Sequence, residues 1–300
     1  MNRYYSGKRQ LYEDIAGYLF ISPWLIAFLA FAVIPMIMSL VYSFTDYDIL
    51  GSPVFSGIAN YLFMVKDARF WKSLQVTFTY AFVAVPLRLV FAFFVAVLFK
   101  RASGMIRFYQ AVYYLPSLVG GSITIAVIWR RIFDINGLFN VFLKAIGINN
   151  PISWIGRSST ALGVIIVLAV WQFGSSMLIF LAGLRQIPKT YYEAASIDGA
   201  GWFSQFFRIT LPQMTPIIFF NLIMQLINGF TVFSQAFIIS GGKGEPQDST
   251  LVYALYLYLQ SFSYYRMGYG SALAWVLVLI IAVFTALLFK TQDRWVYYET

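Results

Sequence analysis

The sequence contains neither cysteine nor histidine, and charged residues make up only 11% of its 300 residues. The missing cysteines exclude disulfides and thiolate nucleophiles, and the missing histidines exclude imidazole acid–base chemistry. Zinc or haem ligation by these two residue types is excluded as well. We therefore expect no catalytic residues and no bound metal in this chain.

Apolar residues, in contrast, are abundant, since 60% of the chain is hydrophobic. A soluble domain typically carries about 25% charged residues. A net charge of +9 can indicate nucleic-acid binding, but here the Lys and Arg residues are scattered at the ends of apolar runs. That distribution is typical of membrane spans, so we expect membrane lipid around the chain and no nucleic-acid partner.

Cutting the sequence at its charged residues leaves six long apolar runs, of which only one contains a charge, Arg88. Each run has at least the roughly 20 residues that cross about 30 Å of hydrocarbon as a helix. The sequence therefore predicts an all-α, polytopic membrane protein with a single transmembrane domain over residues 1–300. The predicted spans are approximately 16–44, 74–99, 108–130, 160–184, 212–240 and 268–289.

The distribution of Lys and Arg predicts the orientation of these spans, because cytoplasmic connections carry an excess of both. An even number of spans places both termini on the same side, and that side has slightly more basic residues in less sequence. We predict that the N- and C-termini are cytoplasmic. The basic residues on that side are Arg3, Lys8, Arg9, Lys100, Arg101, Arg107, Arg185, Lys189, Arg208, Lys290 and Arg294.

The fourth connection, residues 188–212, is a polar interruption that reads YYEAASIDGAGWFSQFFRITLP from Tyr191 onward. Its first half predicts a short helix, Lys189–Ile197. Gly199 and Gly201 then allow the backbone angles of a tight turn.

A second short helix, 202–209, is predicted after that turn, and Pro212 then suits the start of the fifth span. Asp198 is a candidate cap of the second helix. Such a helix–turn–helix offers a rigid knob to another protein. The alternative is an interfacial helix that serves only as an anchor.

The same connection contains the string EAA, three residues, G, nine residues, I, one residue and LP. This string resembles the EAA loop of the permease subunits of ABC importers, which also lies between the fourth and fifth of six spans. The resemblance favours the protein-docking interpretation over the anchor. The matching residues are Glu193, Ala194, Ala195, Gly199, Ile209, Leu211 and Pro212.

Further similarity to the sugar-uptake branch of that family extends over nearly the whole chain. One departure is the segment 241–246, which reads GGKGEP where the family often has a compact Gly-Gly-Pro. It alters an outer loop that is expected to face the binding protein. The similar segments include 43–48, 60–61, 70–71, 114–116, 129–140, 181–188 and 268–272.

The resemblance implies an importer in the cytoplasmic (inner) membrane of a bacterium. This chain would form half of the pathway with a second, homologous permease subunit. Two ATPase subunits would power it, and an extracytoplasmic solute-binding protein would deliver the solute. ATP and Mg would bind the ATPase subunits and no cofactor would bind this chain, which agrees with the lack of a GxxxxGK[ST] phosphate loop in the sequence.

In this scheme the cytoplasmic coupling helix plugs into a cleft of the ATPase. Glu193 would pair with a basic group there, and Gly199 would set the angle between the two short helices. The residues expected to couple to the ATPase are Glu193, Ala194, Ala195, Asp198, Gly199, Ile209, Leu211 and Pro212.

Polar residues within the spans indicate a candidate substrate pathway, because they are costly in lipid. Asn221, Gln225, Asn228 and Gln235 follow a spacing of i, i+4, i+7 and i+14, which places them on one face of the fifth helix, and Gln172 is a further candidate in the fourth span. Amide groups suit sugar hydroxyls because they both donate and accept hydrogen bonds. The alternative is hydrogen bonding between packed helices, which we favour for the polar groups of the third and fourth spans.

Arg88 lies near the middle of the second span, two residues after Pro86 and too deep to reach either surface easily. The six runs contain no Asp or Glu that could pair with it. Three partners remain: a carboxylate of the second permease, backbone carbonyls freed by a kink at Pro86, or the solute. In the third case Arg88 belongs to the pathway and favours an anionic solute such as a uronate-containing oligosaccharide.

Together these features predict a permease for a sugar or oligosaccharide. One alternative is a permease for another solute, such as glycerol phosphate. A stand-alone secondary carrier is a second alternative, against which the matched loop argues, and an intramembrane enzyme lacks its acid–base or metal groups. The predicted pathway residues are Arg88, Asn221, Gln225, Asn228, Gln235 and Gln172.

Overall fold

A computed structural model describes residues 2–100, 104–149 and 151–297 of the chain. The chain divides into two compact units. The first comprises Met1–Met64 and Gln260–Trp275, and the second comprises Val65–Leu259 and Val276–Thr300. The single domain expected over residues 1–300 stays a prediction.

The regular structure of the described chain is almost all helical, with π-helical turns at Leu29–Val33, Phe206–Thr210 and Leu259–Ser263 and two short strands, β1 (Thr45–Asp46) and β2 (Val54–Phe55). The α-helices are α1 (Asn2–Phe28), α2 (Ile34–Ser43), α3 (Ala59–Lys66), α4 (Ala68–Leu98), α5 (Gly104–Val119), α6 (Ile123–Ile132), α7 (Leu138–Ala145), α8 (Ala161–Trp171), α9 (Gly174–Gln186), α10 (Lys189–Ile197), α11 (Trp202–Gln205), α12 (Leu211–Phe230), α13 (Ser234–Ile239), α14 (Tyr253–Tyr258) and α15 (Met267–Gln292).

Within the described ranges, five helical stretches are long and apolar enough to cross a membrane, or six if one bent pair counts as a span. This confirms the predicted all-α, polytopic membrane fold. The five stretches are Asp14–Ser43, Ala68–Leu98, Ala161–Gln186, Trp202–Ile239 and Met267–Gln292, and the bent pair is Met105–Val119 with Ile123–Ile132.

The bent pair corrects the expectation of a continuous third span over residues 108–130, because α5 and α6 meet at an angle of 99°. Helix α5 ends at Val119, and the next residue is Gly120, where a Cβ would lie 2.5 Å from the carbonyl oxygen of Pro116. A new helix starts after Ser122, whose Oγ accepts a hydrogen bond of 3.3 Å from the backbone N–H of Ile125. Such a cap satisfies one of the free N–H groups of a helix start.

In the first unit, β1 and β2 pair antiparallel, with Thr45 opposite Phe55. The amide of Asn60 donates to the carbonyl oxygens of Ser43 and Thr45 at 3.0 and 2.8 Å, which fixes the chain where α2 ends. Gly268, at the start of α15, leaves no space for a side chain, since its Cβ would lie 2.2 Å from the Thr45 oxygen. The packing therefore requires glycine at this position.

The core of the second unit is formed by α4, α9 and α12. Small residues such as Ala92 and Ala96 on α4 let these helices approach closely. Gly183 on α9 has the same role, because a Cβ there would lie 2.0 Å from the Cδ1 of Ile217. In lipid no hydrophobic effect drives helices together, so close packing through small residues is a main source of helix association.

Candidate transport cavity and polar hairpin

A cavity of about 300 Å³ lies in the second unit, bordered by α4, α8, α12 and α13. Of the residues predicted from the sequence to form the substrate pathway, Arg88, Gln172, Gln225, Asn228 and Gln235 line it and Asn221 does not. The other lining residues are Tyr80, Ala84, Val85, Ala169, Gly229, Thr231, Val232, Phe233 and Ser234.

Gln172 lies in a break between two helices, since α8 ends at the residue before it and α9 begins two residues after it. The last carbonyls of a helix have no partner within that helix. The Gln172 carbonyl accepts instead from the guanidinium of Arg88 and, at 3.0 Å, from the Oγ of Ser117. Its side-chain amide donates to the Gly120 carbonyl at 3.1 Å. Gln172 thus joins three helices, as expected for a helix-packing role, and also faces the cavity.

Arg88 is partly buried, and one of its Nη groups donates to the Gln172 carbonyl. That carbonyl belongs to a break in a neighbouring helix rather than to the backbone around Pro86. The Nε of Arg88 is buried and has no hydrogen-bond acceptor in the described chain. An unsatisfied buried donor on a charged group is costly, and Arg88 carries this one beside the cavity that it lines.

The fifth span is not a continuous helix, because α12 ends at Phe230 and α13 begins at Ser234. The expectation that Gln235 shares one helix face with the other three amides is therefore wrong. The Oγ1 of Thr231 donates to the carbonyl of Ile227 at 2.9 Å, a local bond of the kind that competes with the helical pattern. Irregular backbone at membrane depth is tolerated where it lines a cavity, and residues 231–233 do line this one.

The amides of α12 have different surroundings. Gln225 is buried and donates to the Oγ of Ser176 at 3.1 Å, which joins α12 to α9. Asn221 is buried as well and donates to the carbonyl of Ile217 in its own helix. Asn228 is exposed and lines the cavity. A bond between helices therefore describes Gln225, a bond within its own helix describes Asn221, and only Asn228 of the three is exposed.

Sequence reasoning missed several polar groups of the cavity. Tyr80 is buried and lines it from α4, eight residues before Arg88 and so a little more than two helical turns away, within the width of one helix side. That spacing was a usable signal. Thr231 and Ser234 line it because of the break in the fifth span, and no proline in the sequence marks that break.

The polar hairpin, residues 189–210, comprises α10, a turn, α11 and the following π-helical turn. The helix α10 has the bounds that the sequence predicts. Gly199 has a φ of +77°, and the N–H groups of Gly199 and Ala200 donate to the carbonyls of Ser196 and Ala195 at 3.1 and 2.8 Å. This left-handed turn at a helix end favours glycine strongly.

Two details of the hairpin differ from the expectation. Asp198 is the C-cap that follows the last residue of α10, and the N-cap of α11 is Gly201, with no side-chain hydrogen bond, so Asp198 does not cap the second helix. Pro212 is the second residue of α12, a position that suits proline as expected, but helical structure already begins at Trp202 and continues through the π-helical turn into α12. Proline has no N–H and crowds the carbonyl four residues before it, and the wider turn just before Pro212 accommodates this.

Hydrogen bonds hold the hairpin as one body. The amide nitrogen of Gln205 donates to the Oγ of Ser196 at 2.9 Å and to the carbonyl of Ala200 at 3.0 Å, closing the space between the two short helices. The hydroxyls of Tyr192 and Thr210 lie 2.9 Å apart. Tyr192 and Ile209 pack against the core cluster of the second unit. A force applied to the hairpin would therefore reach that core.

The residues predicted to couple to an ATPase fall into two groups. Glu193, Ala194, Asp198 and Gly199 are exposed, and Ala195 is partly buried. The second group forms the base of the hairpin, where Ile209, Leu211 and Pro212 are partly buried. Large apolar side chains on the hairpin are also exposed, namely Ile197, Trp202, Phe203 and Phe207. An exposed acid among exposed apolar groups fits a protein-docking surface.

Comparison with known proteins agrees with this architecture. The chain is 51% identical over 289 residues to the "probable ABC transporter permease protein YesP" of Bacillus subtilis (strain 168), covering 96% of this chain and 94% of that protein. It is 32% identical over 279 residues to the "probable starch degradation products transport system permease protein AmyD" of Thermoanaerobacterium thermosulfurigenes, covering 92% and 94%.

Among solved structures, a chain of a bacterial alginate ABC transporter, crystallised in complex with an alginate pentasaccharide-bound periplasmic protein, superposes with a TM-score of 0.83. The alignment covers 95% of this chain and 96% of that one, at 21% identity, and so supports the fold. Residues 69–296, which include both the cavity and the hairpin, match one family over most of the chain. The chain belongs to the family of binding-protein-dependent transport system inner membrane components.

Proposed function

We propose that this chain is the permease subunit of an ABC importer that carries an oligosaccharide across the cytoplasmic membrane of a bacterium. The observation that carries the proposal is the polar hairpin, which presents the exposed carboxylate of Glu193 on a rigid body built onto the same helices that border the polar cavity. Family membership and the transport names of the relatives support it.

The packing suggests how motion at the hairpin reaches the cavity. Tyr192 and Ile209 contact a core cluster that contains Val85 and Met177. Val85 also lines the cavity. Pressure on the hairpin is therefore passed through close-packed side chains to the cavity wall, and alternating access becomes a rigid-body rocking of the helices around a fixed site.

The proposal includes the partners of such an importer. A second, homologous permease completes the pathway, and an extracytoplasmic solute-binding protein delivers the solute. Two ATPase subunits bind ATP and Mg and dock on the hairpin, while this chain binds no cofactor. Both termini and the hairpin are then cytoplasmic.

The cavity favours a solute with many hydroxyl groups and at least one negative charge. Asn228 and Gln235 supply amides that donate and accept, which suits sugar hydroxyls. The free Nε–H of Arg88 adds a charged donor, and a guanidinium matches a carboxylate well. We infer an acidic oligosaccharide, such as one containing uronate, as the preferred solute.

A cross-linking experiment tests the proposal, because the natural chain has no cysteine to interfere. Ala194→Cys places a single thiol on the exposed face of α10, and a short thiol-to-amine reagent should link it to the ATPase subunit in the purified transporter. Asn149→Cys, in the connection expected outside, is the matched control and should give no such product. A functional transporter that purifies without any ATPase would support a secondary carrier instead.

A further inference from the structure

A second cavity, of about 640 Å³, lies between the polar hairpin and the end of α4. Three cationic residues line it, Lys100, Arg185 and Lys189, and none of the described residues in its lining is Asp or Glu. The three come from different elements: Lys100 follows α4, Arg185 is in the last turn of α9, and Lys189 begins α10. The fold thus concentrates positive charge that is dispersed along the sequence.

These cations are available to a ligand. Arg185 and Lys189 are exposed. The Nζ of Lys100 lies 3.9 Å from the ring centroid of Tyr192, which positions the ammonium group without neutralising it. In the part of the chain whose side chains are described, no carboxylate forms a salt bridge with any of the three.

An apolar groove of about 430 Å³ adjoins this cavity. The two share Val97, Trp202 and Phe206 in their linings. Beyond these shared residues the groove is lined by apolar side chains alone, including Val90 and Phe94, which are exposed on α4. The basic cavity and the apolar groove thus adjoin at these shared residues, one of which is a tryptophan.

We propose that this composite site binds an anionic phospholipid. The phosphate lies among Lys100, Arg185 and Lys189, and an acyl chain follows the groove past Val90. Basic pockets at the cytoplasmic end of membrane helices suit such headgroups, and tryptophan is favoured at the level where headgroup meets hydrocarbon. Because Trp202 and Phe206 belong to the polar hairpin, a lipid bound here contacts the hairpin directly.

Native mass spectrometry of the purified complex tests the site with phosphatidylglycerol and phosphatidylcholine of equal chain length. Phosphatidylglycerol should remain bound at a defined stoichiometry and phosphatidylcholine should not. The triple variant Lys100→Gln, Arg185→Gln, Lys189→Gln should weaken phosphatidylglycerol binding roughly 100-fold, since each cation contributes about five-fold. The matched control, Arg131→Gln, Lys144→Gln, Arg157→Gln, removes the same charge from exposed residues elsewhere and should bind as the parent does.

A further variant separates a lipid from a free phosphate. Val90→Trp fills the groove and leaves the three cations in place, so it should weaken phosphatidylglycerol binding. In the parent, inorganic phosphate should not compete with phosphatidylglycerol for the site. Phosphate that competes, or lipid binding that survives both the triple variant and Val90→Trp, would overturn the proposal. So would a triple variant that keeps its lipid but loses the ATPase, since the cations would then serve protein docking.

Discussion

Replacing Arg88 with glutamine separates a pathway role of this residue from a structural one. Within the described residues the guanidinium donates one hydrogen bond, to the Gln172 carbonyl, and that carbonyl also accepts from Ser117. Losing a hydrogen bond to a charged group costs about 1.5–3 kcal/mol. Removing a poorly satisfied buried charge offsets part of that cost. We therefore expect Arg88→Gln to fold, insert and assemble.

The effect of Arg88→Gln on transport should be larger than its effect on folding, and it should be selective for an acidic solute. If a solute carboxylate accepts from the free Nε–H, the variant loses one charge-assisted hydrogen bond in the loaded state. A loss of about 1.5–3 kcal/mol corresponds to a roughly 10- to 150-fold weaker apparent affinity. A neutral oligosaccharide of equal length has no such bond to lose. Arg88→Lys keeps the charge but not the planar guanidinium, so its apparent affinity for the acidic oligosaccharide should lie between those of the parent and Arg88→Gln.

The assay is uptake into vesicles that contain the reconstituted transporter, with a uronate-containing oligosaccharide and its neutral counterpart measured in parallel. Basal ATP hydrolysis and recovery of the complex serve as the controls for assembly. A variant that fails to assemble, or that loses uptake of both sugars to the same extent, would show that Arg88 is structural. The inference of an acidic solute would then lose its main support.

Two other predictions concern the hairpin and the orientation. Gly199→Val should reduce substrate-stimulated ATP hydrolysis, because a residue with a side chain at a φ of +77° costs about 1–2 kcal/mol even where space is open. Gly199→Asn should reduce it less, and Gly201→Ala, at an ordinary φ of −71°, should match the parent. Equal stimulation in all three would refute a role for the turn geometry. Reporter fusions after Leu184 and Lys290 should be cytoplasmic, and fusions near Asp67, Asn149 and Glu245 external; an external hairpin would contradict the proposed function.

Features governed by composition and by local backbone preference could be predicted from the sequence. The length of the apolar runs predicted the helical membrane fold, and a glycine between two short polar helices predicted the tight turn that the structure has at Gly199. Arg88 and the amides were selected because polar groups are costly inside membrane spans and are therefore rare there. Five of the six selected residues line one cavity.

Features that depend on contacts between distant segments could not be predicted. The bend after α5 relies on a close fit between Gly120 and Gln172, which are far apart in sequence. The acceptor for Arg88 is a carbonyl released by a helix break that no proline marks. Asn221 was selected by its spacing, but its amide is satisfied within its own helix. Periodicity alone assumes an unbroken helix, and the fifth span violates that assumption at residues 231–233.

The central claim is that the polar hairpin couples this chain to an ATPase, and Glu193→Lys tests it most directly. Glu193 is exposed on α10, so reversing its charge should not disturb the fold. The measurement is solute-stimulated ATP hydrolysis by the reconstituted complex, with Asp293→Lys, an equal charge change at an exposed site outside the hairpin, as the control. We predict that Glu193→Lys inserts normally and loses the stimulation while Asp293→Lys keeps it. Parental stimulation and transport in Glu193→Lys would contradict the account.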